Sequence, residues 1–228
     1  MSGLLLAFLI FVALHSIPAI PRLRNGLIRL LGRGPYLAAY SLVSLAAIGW
    51  LFHEAMNTDY IELWQPSAWQ SWITFVFAPL GLFFVLTGLF SVNPFSVTLR
   101  RDGEEIGAIV RITRHPVLWG FFFWSLGHVF PNGDLRSLIL FGGFALFSLA
   151  GIVLQERRSR KRLRSRWAVA IDGTSIVPFA KVFGNPRSLR WDVPIVVGLL
   201  TTLTVVIWLL VGAHLAFFGV DPLMASAI

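Results

Sequence analysis

Five histidines, His15, His53, His115, His128 and His214, stand in a chain of 228 residues that contains no cysteine. Neutral imidazole is a ligand for metals and haem iron and the side chain that titrates nearest physiological pH. An ionisable group in an apolar, membrane-like setting is costly, which makes each of these histidines a functional candidate. The missing cysteine excludes disulfides, thiolate ligation of haem, covalent c-type haem attachment, zinc–thiolate sites and a cysteine nucleophile. Any metal chemistry must use imidazole or carboxylate. Met1, Met56 and Met224 all fall at or outside the ends of apolar segments, so methionine does not compete as a ligand.

Depth along the apolar segments sorts the imidazoles. His15 and His115 fall towards one face of a bilayer, and His53, His128 and His214 towards the other. His115 and His128 are 13 residues apart on one predicted helix. At ~1.5 Å and ~100° per residue they are about 20 Å apart on different sides and cannot share a metal. A bis-imidazole b-type haem needs rings at similar depth on facing helices, so the geometric candidates are His53, His128 and His214, or His15 with His115. The plainer alternative for each is a helix-end residue bonded to water or a carbonyl. Arg114-His115 is a second feature, a basic pair set before Pro116 where a helix begins. Helix N-termini attract anions, so this pair is expected to hold a phosphate or carboxylate of a cofactor or lipid, or simply to anchor the helix at the headgroups.

The element that must position these groups runs from Thr113 to Asp134. Pro116 lacks a backbone donor and suits the first helical turn, whereas His115 before it is biased towards extended backbone. Pro131, Asn132 and Gly133 are turn residues, which ends the helix near Phe130, and Asp134 is a good N-cap for the next apolar run. Hydrophobic residues make up 56% of the chain and charged residues only 13%, with a mean hydropathy of +0.75. That is too apolar for a water-soluble domain of this length. The expected fold is all-α, a polytopic membrane bundle of about six helices forming one domain over residues 1–228.

The spans expected are Ser2–Ile17, Tyr36–Phe52, Trp72–Phe90, Pro116–Phe130, Leu135–Leu154 and Pro194–Phe218. The first reads as a membrane helix and not as a signal peptide, and Pro18 and Pro21 end it. Arg22 to Arg33 is amphipathic and suits the membrane surface. Tyr36, Tyr40, Ser41 and Ser44 share helical spacing and suit helix packing. His53 and Glu54 close the second span, and the loop to Gln70 carries Glu54, Asp59 and Glu62 but no Lys or Arg. Pro79 and Gly81 predict a kink in the third span, which Asn93-Pro94 ends. Leu99 to Arg114, with Arg-Arg-Asp-Gly-Glu-Glu near its start, reads as a loop or short interfacial helix.

Charge then sets orientation. Lys and Arg number 4, 4 and 10 in segments 22–33, 100–114 and 157–190, the alternate connections of a six-span chain, and only Arg136 falls elsewhere. The positive-inside rule puts those segments in the cytoplasm and both termini on the far side, as in a multi-pass protein of a bacterial inner membrane. The net charge of +8 is therefore topological, and no nucleic-acid partner is implied. The basic run after the fifth span suits anionic lipid. No Ser-His-Asp order, phosphate loop, nucleotide fingerprint or H-E-x-x-H motif occurs, so hydrolase and NTPase readings fail.

Several stretches together resemble the NnrU family of membrane proteins: Leu14-His15-Ser16, Tyr40 to Ser44, Arg114 to Gly120, His128 with Asn132-Gly133-Asp134, Thr174 to Phe179, and His214 before Phe218-Gly219-Val220. Members are linked to nitrogen-oxide reduction in denitrifiers or are 15-cis-zeta-carotene isomerases. The resemblance implies haem b bound through histidines, with His15 and His128 matching by context and His53 and His115 as further matches. It also implies a redox-linked role, in denitrification or as a cis–trans isomerase of an apolar polyene. A looser resemblance, to isoprenylcysteine carboxyl methyltransferases, rests on Arg114 to Gly120, Glu156 and Val177-Pro178. It implies S-adenosylmethionine as the alternative cofactor, although Leu118 stands where that family has Tyr, and Gln155-Glu156 where it has a Glu pair. A third expectation is a non-enzymatic partner of a respiratory complex.

Overall fold

The computed structural model describes residues 1–16, 20–100, 105–186 and 189–226. Ile17, Pro18, Arg101 to Glu104, Arg187 and Ser188 lie outside them, so the expected break at Pro18 and part of the expected charged loop are not described. In chain order the helices are α1 (Ser2–Ser16), α2 (Pro21–Leu31), α3 (Arg33–Asn57), α4 (Ala68–Phe90), α5 (Ala108–Ile112), α6 (Pro116–Asn132), α7 (Leu135–Ser137), α8 (Gly143–Leu163), α9 (Trp167–Ala170), α10 (Ala180–Gly184), α11 (Val193–Trp208), α12 (His214–Phe218) and α13 (Pro222–Ala225). Among the described residues strand pairing is limited to one isolated bridge, Glu62 with Asp134. The expected all-α membrane bundle is the fold found.

Four described helices are long and apolar enough to cross a membrane, and a fifth results if α1 and α2 count as one broken span. The two shorter apolar helices, α1 with 15 residues and α6 with 17, reach ~22 and ~26 Å against the ~30 Å of a hydrocarbon core. Helix length alone thus does not establish the count of six.

The chain divides into two compact units, residues 1–64 with 134–140, and residues 65–133 with 141–228. In the first, α1 and α3 pack antiparallel, Gly3 against Glu54 and His15 beside Tyr40. The buried face of α1, Leu4, Ala7 and Phe11, recurs at helical spacing. Helix α2 is the amphipathic segment expected, with no buried residue, and it stops at Gly32, whose φ of 82° favours glycine. Helix α3 runs a turn beyond Phe52. His53 and Glu54 do not close it because Trp50 donates to Glu54 at 3.0 Å and Asn57 donates to the His53 carbonyl at 2.8 Å. Asp134 is the N-cap expected, accepting from the Ser137 amide at 3.0 Å. Arg136, the one cation outside the basic segments, is held locally. It donates to the Thr58 carbonyl at 2.7 Å, lies 3.4 Å from the Asp134 carboxylate and covers the Tyr60 ring.

The second unit is built on α4 and α6, which run antiparallel in close contact. A Cβ on Gly81 would lie 2.6 Å from the Gly120 carbonyl, and one on Gly120 would lie 2.6 Å from the Gly81 carbonyl, so only glycine permits the crossing. Helix α6 continues two residues past the expected end at Phe130. Pro131 cannot donate to the Gly127 carbonyl, and the Thr74 hydroxyl donates to it instead at 2.6 Å, leaving Gly133 at φ 49° as the cap. Phe84, Phe95, Ile109, Val110 and Ile112 form a core with Val182. Helix α5 is therefore buried, not interfacial, because its apolar residues cover almost its whole circumference. Asp192 caps both α11 and α5, accepting from Ile195 at 3.0 Å and from Ala108 at 2.7 Å.

Candidate functional site

Pro116 starts α6. His115 before it has φ −123° and ψ 54°, neither helical nor the extended backbone expected, and Thr113 is the extended residue at φ −156° and ψ 143°. Arg114 is 7% exposed and His115 is fully buried. Both meet Glu156 of α8. Arg114 donates to one carboxylate oxygen at 2.6 Å and to the other at 3.3 Å, and His115 Nε2 lies 2.9 Å from the second oxygen. The remaining Arg114 nitrogen donates to the Thr174 hydroxyl at 3.1 Å, and its guanidinium lies over the Phe95 and Trp167 rings. The anion expected at this basic pair is thus supplied by the chain itself.

Backbone holds the arrangement in place. Asn93, 2% exposed, donates to the Arg114 carbonyl at 3.0 Å while accepting from the Phe95 and Ser96 amides. The segment from Thr174 to Phe179 is laced to the start of α6. Arg114 N donates to the Ser175 carbonyl at 2.8 Å, Thr113 and the Trp119 indole both donate to the Ile176 carbonyl at 2.7 and 2.9 Å, and Phe179 N donates to the Ile112 carbonyl at 3.0 Å. Phe179 takes a φ of 65° to do so.

Since a carboxylate only accepts, His115 Nε2 carries the proton on Glu156, which leaves Nδ1 a bare acceptor, buried and without a partner. Burial holds the imidazole below its ordinary pKa, against the opposing pull of the Glu156 hydrogen bond. The cluster of Arg114 cation, Glu156 anion and neutral His115 is therefore uncharged in sum.

The other histidines divide by tautomer. His128 Nδ1 faces the Trp124 carbonyl at 2.7 Å, His15 Nδ1 the Phe11 carbonyl at 2.8 Å, and His214 Nδ1 the Val220 carbonyl at 2.8 Å. A carbonyl only accepts, so in all three the proton sits on Nδ1 and the lone pair on Nε2, the arrangement of a metal-ligating imidazole. His53 differs, because its Nδ1 faces the Asn57 amide nitrogen at 3.3 Å and the proton goes to Nε2. Trp124 and Phe141 flank the His128 ring at 4.8 and 5.0 Å between centroids.

Within the first unit, His15 and His53 lie at opposite ends of the α1–α3 pair. Within the second, His115 and His128 lie at opposite ends of α6, and His214 belongs to the same unit. His15 and His128 belong to different units. Among the described residues no group of three or more His, Asp or Glu could hold a metal ion.

In the sequence Asn93 reads only as a helix terminator, and Thr113 and Trp167 carry no role of their own. The Asn93-Pro94 dipeptide, which favours a turn with Asn bonding the amides that follow, is the signal available for Asn93. Nothing in the pattern marked the other two.

The family model described as NnrU protein matches residues 3–222. The chain is similar to the chloroplastic 15-cis-zeta-carotene isomerase of Zea mays, 26% identical over 200 residues, and to that of Arabidopsis thaliana, 27% identical over 200 residues. Each match covers 83% of this chain and 52% or 53% of the relative, so the chain spans about half the length of these relatives. No solved structure matches.

Proposed function

The chain belongs to the NnrU family, and from that premise we propose that it is a membrane-embedded isomerase of an apolar polyene carrying haem b on neutral imidazoles. The observation that carries the reading is the tautomer of His128. Its Nδ1–H is tied to the Trp124 carbonyl, which leaves the lone pair on Nε2 and fixes the ring, so that this nitrogen would be the one to hold the iron. This donor set fits haem b, which would be held by a pair of neutral imidazoles and needs no larger cluster of ligating side chains. His128 is common to the pair implied by the resemblance, His15 with His128, and to the pair inside the second unit, His128 with His214. When bound, the iron supplies one-electron redox chemistry.

The residues of the chain supply the rest. Trp124 and Phe141 pack against the His128 ring, and Phe144 packs on Trp124 behind it, an apolar setting for half-buried His128. The Arg114–Glu156 pair pins the other end of α6, so that the helix presents His128 at a fixed depth. Isomerisation is preferred over nitrogen-oxide chemistry because the similar proteins are isomerases by name. The location proposed is a bacterial inner membrane with both termini away from the cytoplasm, supported by the 18 basic residues on alternate segments against Arg136 alone. The test is chromatographic: reduced, haem-loaded protein converts 15-cis-zeta-carotene to its 15-trans isomer, and H128A does not. Equal conversion by H128A, or none by the wild type, overturns the proposal.

One observation favours a second reading. Arg114, His115 and Glu156, which carry the looser resemblance to isoprenylcysteine carboxyl methyltransferases, converge in space. That reading gives Arg114 and His115 to S-adenosylmethionine, expects saturable binding lost in E156Q, and expects colourless protein.

A further inference from the structure

We propose that the basic face of α8, with the turn that follows it, is a binding groove for the phosphate of an anionic lipid headgroup. Arg157, Arg160, Lys161 and Arg164 follow the spacing i, i+3, i+4, i+7, which puts all four on one side of the helix. All are exposed, and with Trp167 they line a groove of about 600 Å³. The groove has a backbone cause. Helix α8 stops at Arg164 with φ 48° and ψ −119°, a conformation rare for so large a side chain. A tight turn over Arg164–Arg166 then brings α9 beside the cations.

Charge and depth identify the ligand. Like charges one helical turn apart repel, and no described carboxylate forms an ion pair with any of the four. Glu156, the neighbouring acid, is already engaged by Arg114 and His115. The helix C-terminus favours cations but does not neutralise them, so an external anion completes the balance. The apolar part of α8 ends at Leu154, and Arg157 follows three residues later, ~4.5 Å further along the axis. That is the level of headgroup phosphates above a hydrocarbon core, and half-buried Trp167 is an interfacial residue type.

A track for the acyl chain runs down the same side of the helix. Leu146, Leu149 and Val153 are 71%, 37% and 50% exposed, and their spacing leads directly to Arg157. A free phosphate has no use for this stripe, whereas a lipid covers stripe and groove together.

The protein, delipidated in neutral detergent, is titrated with dioctanoyl phosphatidylglycerol, dioctanoyl phosphatidylcholine and inorganic phosphate, with bound lipid counted by native mass spectrometry. Saturable binding of the anionic lipid alone is expected. R160Q/R164Q weakens it about 25-fold, from about fivefold per cation, whereas R158Q/R166Q, which removes the same charge outside the groove, weakens it less than about threefold, because salt screens cations that do not touch the phosphate. Equal weakening by the two double variants reduces the effect to net charge and overturns the groove. Equal retention of phosphatidylcholine overturns the anionic ligand. Displacement of lipid by an equal concentration of inorganic phosphate overturns the lipid in favour of a free anion. The three-probe comparison uses wild-type protein and does not depend on any variant folding.

Discussion

Replacing Glu156 by Gln perturbs the second unit at its most highly charged buried point. The Arg114 guanidinium has a side-chain exposure of 8% and Glu156 one of 19%, with 2.6 Å between their nearest atoms. Gln keeps the shape and one acceptor but removes the charge, leaving Arg114 with Thr174 and two aromatic faces. Loss of one partner of a buried pair costs about 3–5 kcal/mol, and the retained acceptor and residual exposure place E156Q near the lower bound. The converse variant, R114Q, should cost less, about 2 kcal/mol on the same scale, because His115 can take up a proton and remain as the counter-ion of Glu156. With both charges removed, the double variant should lose about 2 kcal/mol less than the sum of the singles, which is the coupling between them. The assay is equilibrium unfolding in mixed micelles, followed by tryptophan fluorescence, for the wild type and the three variants. Single losses below about 0.5 kcal/mol that simply add in the double variant, the behaviour of a surface pair, would refute the reasoning.

Three further outcomes are expected, two from the structure and one from the distribution of basic residues in the sequence. Burial holds His115 below its ordinary pKa of 6.5, so the unfolded chain binds a proton that the folded chain refuses. Stability should therefore fall as pH drops below about 6.5, by at most ~1.4 kcal/mol per pH unit, and H115Q should flatten the profile measured between pH 5.5 and 8. Ala at Gly81 places a methyl group on the Gly120 carbonyl and the Trp124 backbone and should cost about 1–3 kcal/mol. Ala at Gly49, which meets nothing within 4 Å, should be neutral or stabilising by up to ~1 kcal/mol, and thermal melts of the two variants should separate. A reporter fused after Ile228 should be accessible from the non-cytoplasmic side, and cytoplasmic activity of the fusion would reverse the topology.

Local chemistry was the part of the fold legible in the sequence. Pro116 started its helix, Asp134 capped the next one, and Asn93-Pro94 ended α4, because each of these depends on the residue's own donors, acceptors or ring. The misreadings came where distant partners decide. Pro131 did not end α6, since Thr74 from α4 satisfied the carbonyl that proline abandons. Helix α5 lay in the core because Phe84 and Phe95 were there to cover it. At the site, Arg114 and His115 stood out as a basic pair, but their partner lies more than forty residues away, and the lacing by Thr174 to Phe179 uses backbone carbonyls that carry no sequence signature. Histidine tautomers are set by which carbonyl each ring meets, so His53 could not be told from His128 by composition or spacing.

The claim that His128 ligates haem b is tested most directly by oxidised and dithionite-reduced absorption spectra of detergent-purified protein, expressed with ample haem, beside H15A, H53A, H128A and H214A. A Soret band with a b-type reduced spectrum is expected in the wild type, with its loss in H128A, its retention in H53A, and loss in either H15A or H214A according to which supplies the second imidazole. Colourless wild-type protein, or an H128A spectrum identical to that of the wild type, would contradict it.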